Sequence, residues 1–274
     1  MLLLQSAALC IVALYTAVRC LEEPRRSRFI LRMLLLSASA WAAEESAILF
    51  YGFYHYSPQW SLFLHRVPLV IVLIWPAVIH SGWDMASQIL PDSRRLRPLL
   101  AGVIVCADAG LIEPLAVQAG LWDWELSGIF HVPPVAILGW GGYAFLCVLT
   151  LEWFGCGRTG TAAEWRLLAL PPLGVHAFLL SSWWGIFRWV NFPVSPVRAA
   201  AGAWGFFLCV TGLALVFKVG RRVERKGLLL RLPGAVFFFA LLAVTGRGAP
   251  WLVLYAAAFV PPYLVLLAQQ GREL

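Results

Sequence analysis

Nine stretches of this chain are each long and apolar enough to cross a lipid bilayer, and they leave room for little else. A spanning helix needs about 20 mostly apolar residues. Such runs fall at 2–18, 29–52, 67–90, 99–118, 132–154, 167–187, 199–219, 228–244 and 251–268. The eighth is short and carries Arg231 and Pro233. Backbone polar groups inside a bilayer must be bonded within the protein, which leaves helices or closed barrels. The length of these runs selects helices. The expected fold is therefore all-α: a polytopic transmembrane bundle of about nine spans, with eight as the alternative. Hydrophobic residues make up 61% of the 274, charged residues 13%, and the mean hydropathy is +0.79. Soluble domains sit near ~45–50% apolar and ~25% charged. Disorder, a fibrous protein and an ordinary soluble enzyme are thus excluded. A single integral membrane domain over 1–274 is expected, with no appended soluble domain.

The formal net charge of +7 is placed by topology and not by a nucleic-acid partner. Fifteen basic residues lie in one alternating set of connections: Arg19, Arg25, Arg26 and Arg28; Arg94, Arg95 and Arg97; Arg158 and Arg166; Lys218, Arg221, Arg222, Arg225 and Lys226; and Arg272. The other set holds only Arg66, Arg188, Arg198 and Arg247. Arg32 and Arg231 stand at span ends beside the first set. Basic loops stay in the cytoplasm, so the N-terminus is expected outside and the C-terminus inside. The alternation also requires an odd number of spans. No basic residue precedes the first run, as a signal peptide would require, so that run is expected to remain as a helix.

Charge is expensive in hydrocarbon, so acids within spans are informative. They are Glu44 and Glu45 in the second span, Asp84 in the third, Asp108 and Glu113 in the fourth, and Glu152 near the end of the fifth. His80 and His176 also lie inside spans. At 1.5 Å per residue, Glu44 and Glu113 come out roughly 20 Å from the cytoplasmic ends, and His80 and Asp108 roughly 15 Å. His80 and Asp84, four apart, share a helix face. Glu44 and Glu45 point in different directions, so one of them at most faces a given partner. Pro114 lacks an N–H and frees a carbonyl one turn back, a polar notch beside Glu113. A carboxyl group without a partner in such surroundings stays neutral at pH 7 and can donate a proton. Clustered in spans two to four, these acids read as a functional set. The alternative is pairing with Arg, Tyr or backbone groups to fix helix packing.

The 14 tryptophans divide between belt and interior. Trp60, Trp189 and Trp251 read as interfacial belt residues. Trp122-Asp123-Trp124-Glu125 follows Glu113 in a loop, and Trp140 sits in Gly139-Trp140-Gly141-Gly142. A tryptophan face stabilises a cation, so acids beside indoles in an apolar cavity suit protonation of an olefin with shelter for the carbocation. Tyr51-Gly52-Phe53-Tyr54-His55-Tyr56 reads as a belt anchor or a cavity rim. The histidines His55, His65, His80, His131 and His176 lack metal-ligand spacing. Cys10, Cys20, Cys106, Cys147, Cys156 and Cys209 form no CxxC pair, and most read as small packing residues. No Walker loop, no dinucleotide fingerprint and no internal repeat stands out.

From Asp108 to Trp140 the chain reads DAGLIEPLAVQAGLWDWELSGIFHVPPVAILGW. This resembles the membrane-bound carotenoid-biosynthesis family that includes bisanhydrobacterioruberin hydratase and the carotenoid 1,2-hydratases. The resemblance rests on Asp108, Glu113-Pro114, Gly120-Leu121-Trp122-Asp123-Trp124, Val132-Pro133 and Leu138-Gly139-Trp140. Upstream, Glu44 or Glu45 with Tyr54 and Tyr56 resembles the family's Glu and Gly-x-Tyr-x-Tyr region. It covers about residues 40–155, which would form the catalytic core. The chain departs from the pattern in having Glu113 where the family usually has Asp, and Ala136 where an Asn is common. The Gly-Pro-Phe-Gly lead-in to the tyrosines is missing, and the helices after 160 match in character only.

The resemblance implies addition of water across the terminal C-1,2 double bond of an acyclic or monocyclic carotenoid, with no metal or redox cofactor. Catalytic roles would fall to Glu44, Glu45, Asp108 and Glu113. Substrate would be held by Tyr54, Tyr56, Trp122, Trp124, Trp140, His80 and Asp84. The expected partners are a lipophilic carotenoid in the bilayer and membrane lipids, with other enzymes of the pathway as further candidates and no nucleic acid. A multi-pass place in a bacterial or archaeal-type cytoplasmic membrane follows. Three readings compete: a lycopene-cyclase-like enzyme that captures the same cation with a double bond, a proton-coupled transporter, and a non-catalytic carotenoid binder.

Overall fold

The computed structural model describes residues 1–154 and 161–270. Arg158, Cys156 and Arg272 lie outside the described residues. The helices are α1 (Leu2–Glu22), α2 (Arg26–Tyr51), α3 (Leu69–Ile89), α4 (Arg97–Gln118), α5 (Pro134–Trp153), α6 (Leu170–Ser182), α7 (Arg188–Val190), α8 (Pro196–Val216), α9 (Arg225–Thr245), α10 (Pro250–Ala257) and α11 (Val260–Gln270). Four short strands complete the set: β1 (Tyr54–Tyr56), β2 (Phe63–Leu64), β3 (Val67–Pro68) and β4 (Trp122–Trp124).

Among the described residues, nine segments are helical, long and apolar enough to cross a membrane. The sixth runs Glu164–Val190 through α6, a π-helical turn at Trp183–Phe187 and α7. The ninth, Pro250–Gln270, joins α10 and α11. Pro261 and Pro262, which cannot donate to the preceding turn, follow the break between them. The protein is thus an integral membrane bundle. The eighth span is a full 21-residue helix despite Arg231 and Pro233. Arg231 does not sit at its end but inside it, where an ion pair with Asp108 offsets the cost of the charge.

Helices α2 to α5 form the best-packed part of the bundle. Small residues allow α4 and α5 to touch. A Cβ at Gly102 would lie 2.8 Å from the Gly141 carbonyl, and one at Gly141 would lie 2.8 Å from Cys106 Cβ. Helices α2 and α4 both end at one face of the bundle. Gly52 there takes a left-handed conformation (φ 60°), and Gly120 does the same (φ 67°), turns that L side chains rarely adopt. Each turn feeds a three-residue strand. β1 and β4 then pair antiparallel, with Tyr54 opposite Trp124, His55 opposite Asp123 and Tyr56 opposite Trp122. Side chains alternate along a strand, so both tyrosines and both tryptophans share the face toward the helices. His55 and Asp123 point outward and are exposed.

Trp60 is a correction to the belt assignment. It is buried, and its indole N–H donates to the Leu121 carbonyl at 2.9 Å. Trp189 and Trp251 are exposed, as belt residues would be. Cys147 is buried, whereas Cys10 and Cys209 are exposed on their helices.

Candidate active site

The β1–β4 pair turns its aromatic face onto two glutamates. Trp122 and Trp124 both donate their indole N–H to Glu113 Oε2, at 2.8 and 2.9 Å. Glu113 is 2% exposed. On Glu44, the Tyr54 and Tyr56 hydroxyls both donate to Oε2, the latter at 3.0 Å, and the Trp75 indole donates to Oε1 at 3.0 Å. Each acid is therefore bonded by aromatics of the strand that follows its own helix. Burial, then the Glu44 charge, holds the Tyr54 and Tyr56 phenols well above their ordinary range, so both remain donors.

Both acids line one small cavity of about 90 Å³. Trp75, Trp122, Trp124, Trp140, Tyr143 and Ala136 complete much of its wall. Trp75 and Trp140 lie 4.5 Å apart at ring centroids with planes at 41°. The Tyr143 hydroxyl donates to Ser39 Oγ at 2.8 Å, which holds it against α2. The Asn-to-Ala departure falls inside this cavity, where Ala136 presents a methyl group and no amide.

The local arrangement has a two-fold character that sequence reading did not show. Helix, left-handed glycine, strand and next helix recur as α2–β1–α3 and α4–β4–α5, and each second helix supplies one tryptophan, Trp75 or Trp140, to the cavity. Trp75 escaped sequence reasoning. Its signal was a tryptophan deep in a span, whose N–H requires a partner there.

Other singled-out residues lie elsewhere. Glu45 faces away from Glu44, 2.6 Å from His65 Nδ1, and accepts the Arg66 backbone N–H at 3.1 Å. Asp108 accepts from Arg231 Nη2 on both oxygens, at 2.6 and 2.5 Å. Arg231 also donates to Ser81 Oγ at 2.7 Å and to Tyr263 Oη at 3.1 Å. His80 Nδ1 meets the Tyr15 hydroxyl at 2.8 Å, and Asp84 pairs with Arg19. Glu152 binds Trp83, Arg94 and Arg97. His176 bridges Ser46 and Tyr51. The notch opened by Pro114 is filled: the Gly110 carbonyl accepts the Tyr255 hydroxyl at 2.7 Å.

Glu113 takes indole N–H donors, whereas Glu44 takes two phenol O–H donors and one indole N–H. Two acids of unlike surroundings in one aromatic cavity can deliver a proton and remove another. Neither the search of curated proteins nor that of solved structures returns a match. The family model described as carotenoid biosynthesis protein matches residues 1–203, which takes in both acids and both strands. The chain belongs to that family of carotenoid biosynthesis proteins.

Proposed function

We propose that the protein is a carotenoid hydratase, acting without a cofactor on the terminal C-1,2 double bond of an acyclic or monocyclic carotenoid. The observation that carries this reading is the pair Glu44 and Glu113, facing one small cavity walled by tryptophan. Glu113 is the general acid. Its carboxyl group gives a proton to carbon 2, and the pair of electrons of the double bond forms the new C–H bond. A tertiary cation remains at carbon 1, and the faces of Trp75, Trp122 and Trp140 stabilise it. Glu44 orients a water and takes its proton as the oxygen bonds to carbon 1. One water is consumed. Glu113 has lost a proton and Glu44 has gained one, and return of that proton between the two acids across the shared cavity resets the site.

In this reading Asp108, Asp84, His80 and Glu45 serve packing and do not touch the reacting carbons. The site would lie toward the outer side of a cytoplasmic membrane, as the basic loops predict. Ala136 favours one second reading. Its methyl group makes that wall drier, and a dry cavity lets a neighbouring double bond capture the cation, which is cyclisation.

Pigments from cells that make an acyclic carotene, with and without the chain, separate these readings by chromatography and mass spectrometry. Hydration yields a product heavier by one water. A product of unchanged mass and altered absorption means cyclisation and contradicts the proposal. Unchanged pigments across acyclic and monocyclic carotenes contradict both.

A further inference from the structure

A second, larger cavity of about 1310 Å³ adjoins the small one. Ile71, Trp75, Trp122 and Trp140 line both, so three indoles and one aliphatic side chain form the partition. The larger cavity follows α3 from Ile71 to Ile89, which at 1.5 Å per residue is roughly 27 Å and nearly the depth of a bilayer core. Its lining is overwhelmingly apolar, drawn from α1, α3, α4, α5, α8, α9, α10 and α11. It exceeds the ~300–1,000 Å³ of ordinary small-molecule sites. Such a shape takes a long, unbranched-width hydrocarbon.

The helices that form its walls are packed unevenly. Helix α8 packs on α10 and α11, while α9 packs on α1, α3, α4 and α11. The cavity lining contributed by Phe206 and Leu213 of α8 and by Leu232 and Val236 of α9 is at the same time exposed. Gly202 of α8 and Gly234 of α9 also line it, and a Cβ added at either would meet nothing within 4 Å. Arg231, its side chain 9% exposed, fastens α9 to α3, α4 and α11 through Ser81, Asp108 and Tyr263. The gap therefore stands open between two helices that are each held from behind.

We propose that the larger cavity holds the polyene of the carotenoid substrate, and that the carotenoid enters and leaves it from the bilayer between α8 and α9. The family match ends at residue 203, inside α8. Helices α9 to α11 and most of α8 lie beyond it, so this wall is where the chain sets which carotenoid it accepts. The inference rests on the carotenoid reading of the acid site but not on hydration. Its continuity with that site, through the shared tryptophans, selects the substrate polyene over a phospholipid acyl chain as occupant.

The test uses four glycines with open space around an added Cβ. Gly202 and Gly234 line the cavity, and Gly205 and Gly212 do not. Full-length wild type, each Gly→Trp variant and Glu113→Gln are expressed in cells making an acyclic carotene. Pigment co-purifying with monodisperse, detergent-solubilised protein is measured per mole of chain. Gly202→Trp and Gly234→Trp are expected to lose roughly tenfold of the pigment, the ratio that about 1.4 kcal/mol of binding sets. Gly205→Trp and Gly212→Trp keep it, and Glu113→Gln keeps it while making no product. The corresponding Leu variants give a graded second series if a Trp variant does not purify. Equal pigment in all four glycine variants overturns the proposal, as does wild-type protein that carries phospholipid and no carotene. Pigment that depends on Gly202 and Gly234, with no hydrated product from wild type, upholds the cavity and rejects hydration.

Discussion

Tyr54 stands opposite Trp124 in the β1–β4 pair, with ring centroids 4.6 Å apart, yet the two side chains bond different acids: Tyr54 holds Glu44 and Trp124 holds Glu113. One strand pair thus ties together two carboxyl groups carried by separate helices. Tyrosine hydroxyls both give and take hydrogen bonds, whereas an indole only gives. The two acids therefore sit in different surroundings, the condition for the opposite roles proposed for them.

Glu113→Gln and Glu44→Gln should each lower hydration by roughly 10²–10⁴. An amide oxygen still accepts the indole or phenol hydrogen bonds, so both variants should express and purify like wild type. Initial rates of product formation in membranes, alongside purified yield, check this. A loss of less than about tenfold in either variant would remove that acid from the reaction.

Trp124→Phe removes one of the indole donors on Glu113 while keeping an aromatic ring beside Tyr54. Loss of one such hydrogen bond to a carboxyl group costs about 1.5–3 kcal/mol. The expected outcome is a rate lowered by roughly one to two orders of magnitude with the strand pair intact. Trp75→Phe should act in the same direction through Glu44. Turnover measured at saturating carotene distinguishes this from weakened binding.

The protons on Tyr54 and Tyr56 give a pH dependence with a definite sign. Both phenols are held well above the ordinary 10.0 in the folded protein. Below that value folded and unfolded chains carry the same protons there, and stability does not change. Above it the unfolded phenols lose protons that the folded state retains, so stability falls as pH rises. Thermal unfolding in detergent between about pH 8 and pH 11 should show this fall, and Tyr54→Phe with Tyr56→Phe should flatten it.

Asp108 and Arg231 form an ion pair inside the bundle, and removing one partner leaves the other charge without compensation. Arg231→Met or Asp108→Asn alone should destabilise by about 3–5 kcal/mol. The double variant should recover much of that loss. A double-mutant cycle on thermal stability measures the coupling, and additive losses would contradict the pairing.

Sequence patterning carried the bundle far because its signal is long and periodic. Each span needs its own uninterrupted run, and even Arg231 did not break the eighth. The motifs Gly-x-Tyr-x-Tyr and Gly-x-Trp-x-Trp stood out, but they read as a belt anchor or rim and as a loop. That they pair as strands was not legible, because Tyr54 and Trp124 lie far apart in the chain. Depth arithmetic also set Glu44 and Glu113 level with one another, and both line the small cavity. Partners across the bundle were not legible. Asp108 and Arg231 are 123 residues apart, and the depth of a charge does not name what meets it. Trp75 was missed for the same reason: its indole serves Glu44 from another helix, with no motif around it. Trp60 resembled a belt residue because position near a span end does not tell the lipid side from the core.

The most direct measurement follows the oxygen. The chain is supplied with an acyclic carotene in membranes suspended in water enriched in heavy oxygen, and the product is weighed by mass spectrometry. The account predicts one heavy oxygen atom per converted end, placed at carbon 1 and absent in Glu44→Gln and Glu113→Gln. A product without the heavy atom, formed at the wild-type rate, would contradict a water-adding site built from these two acids.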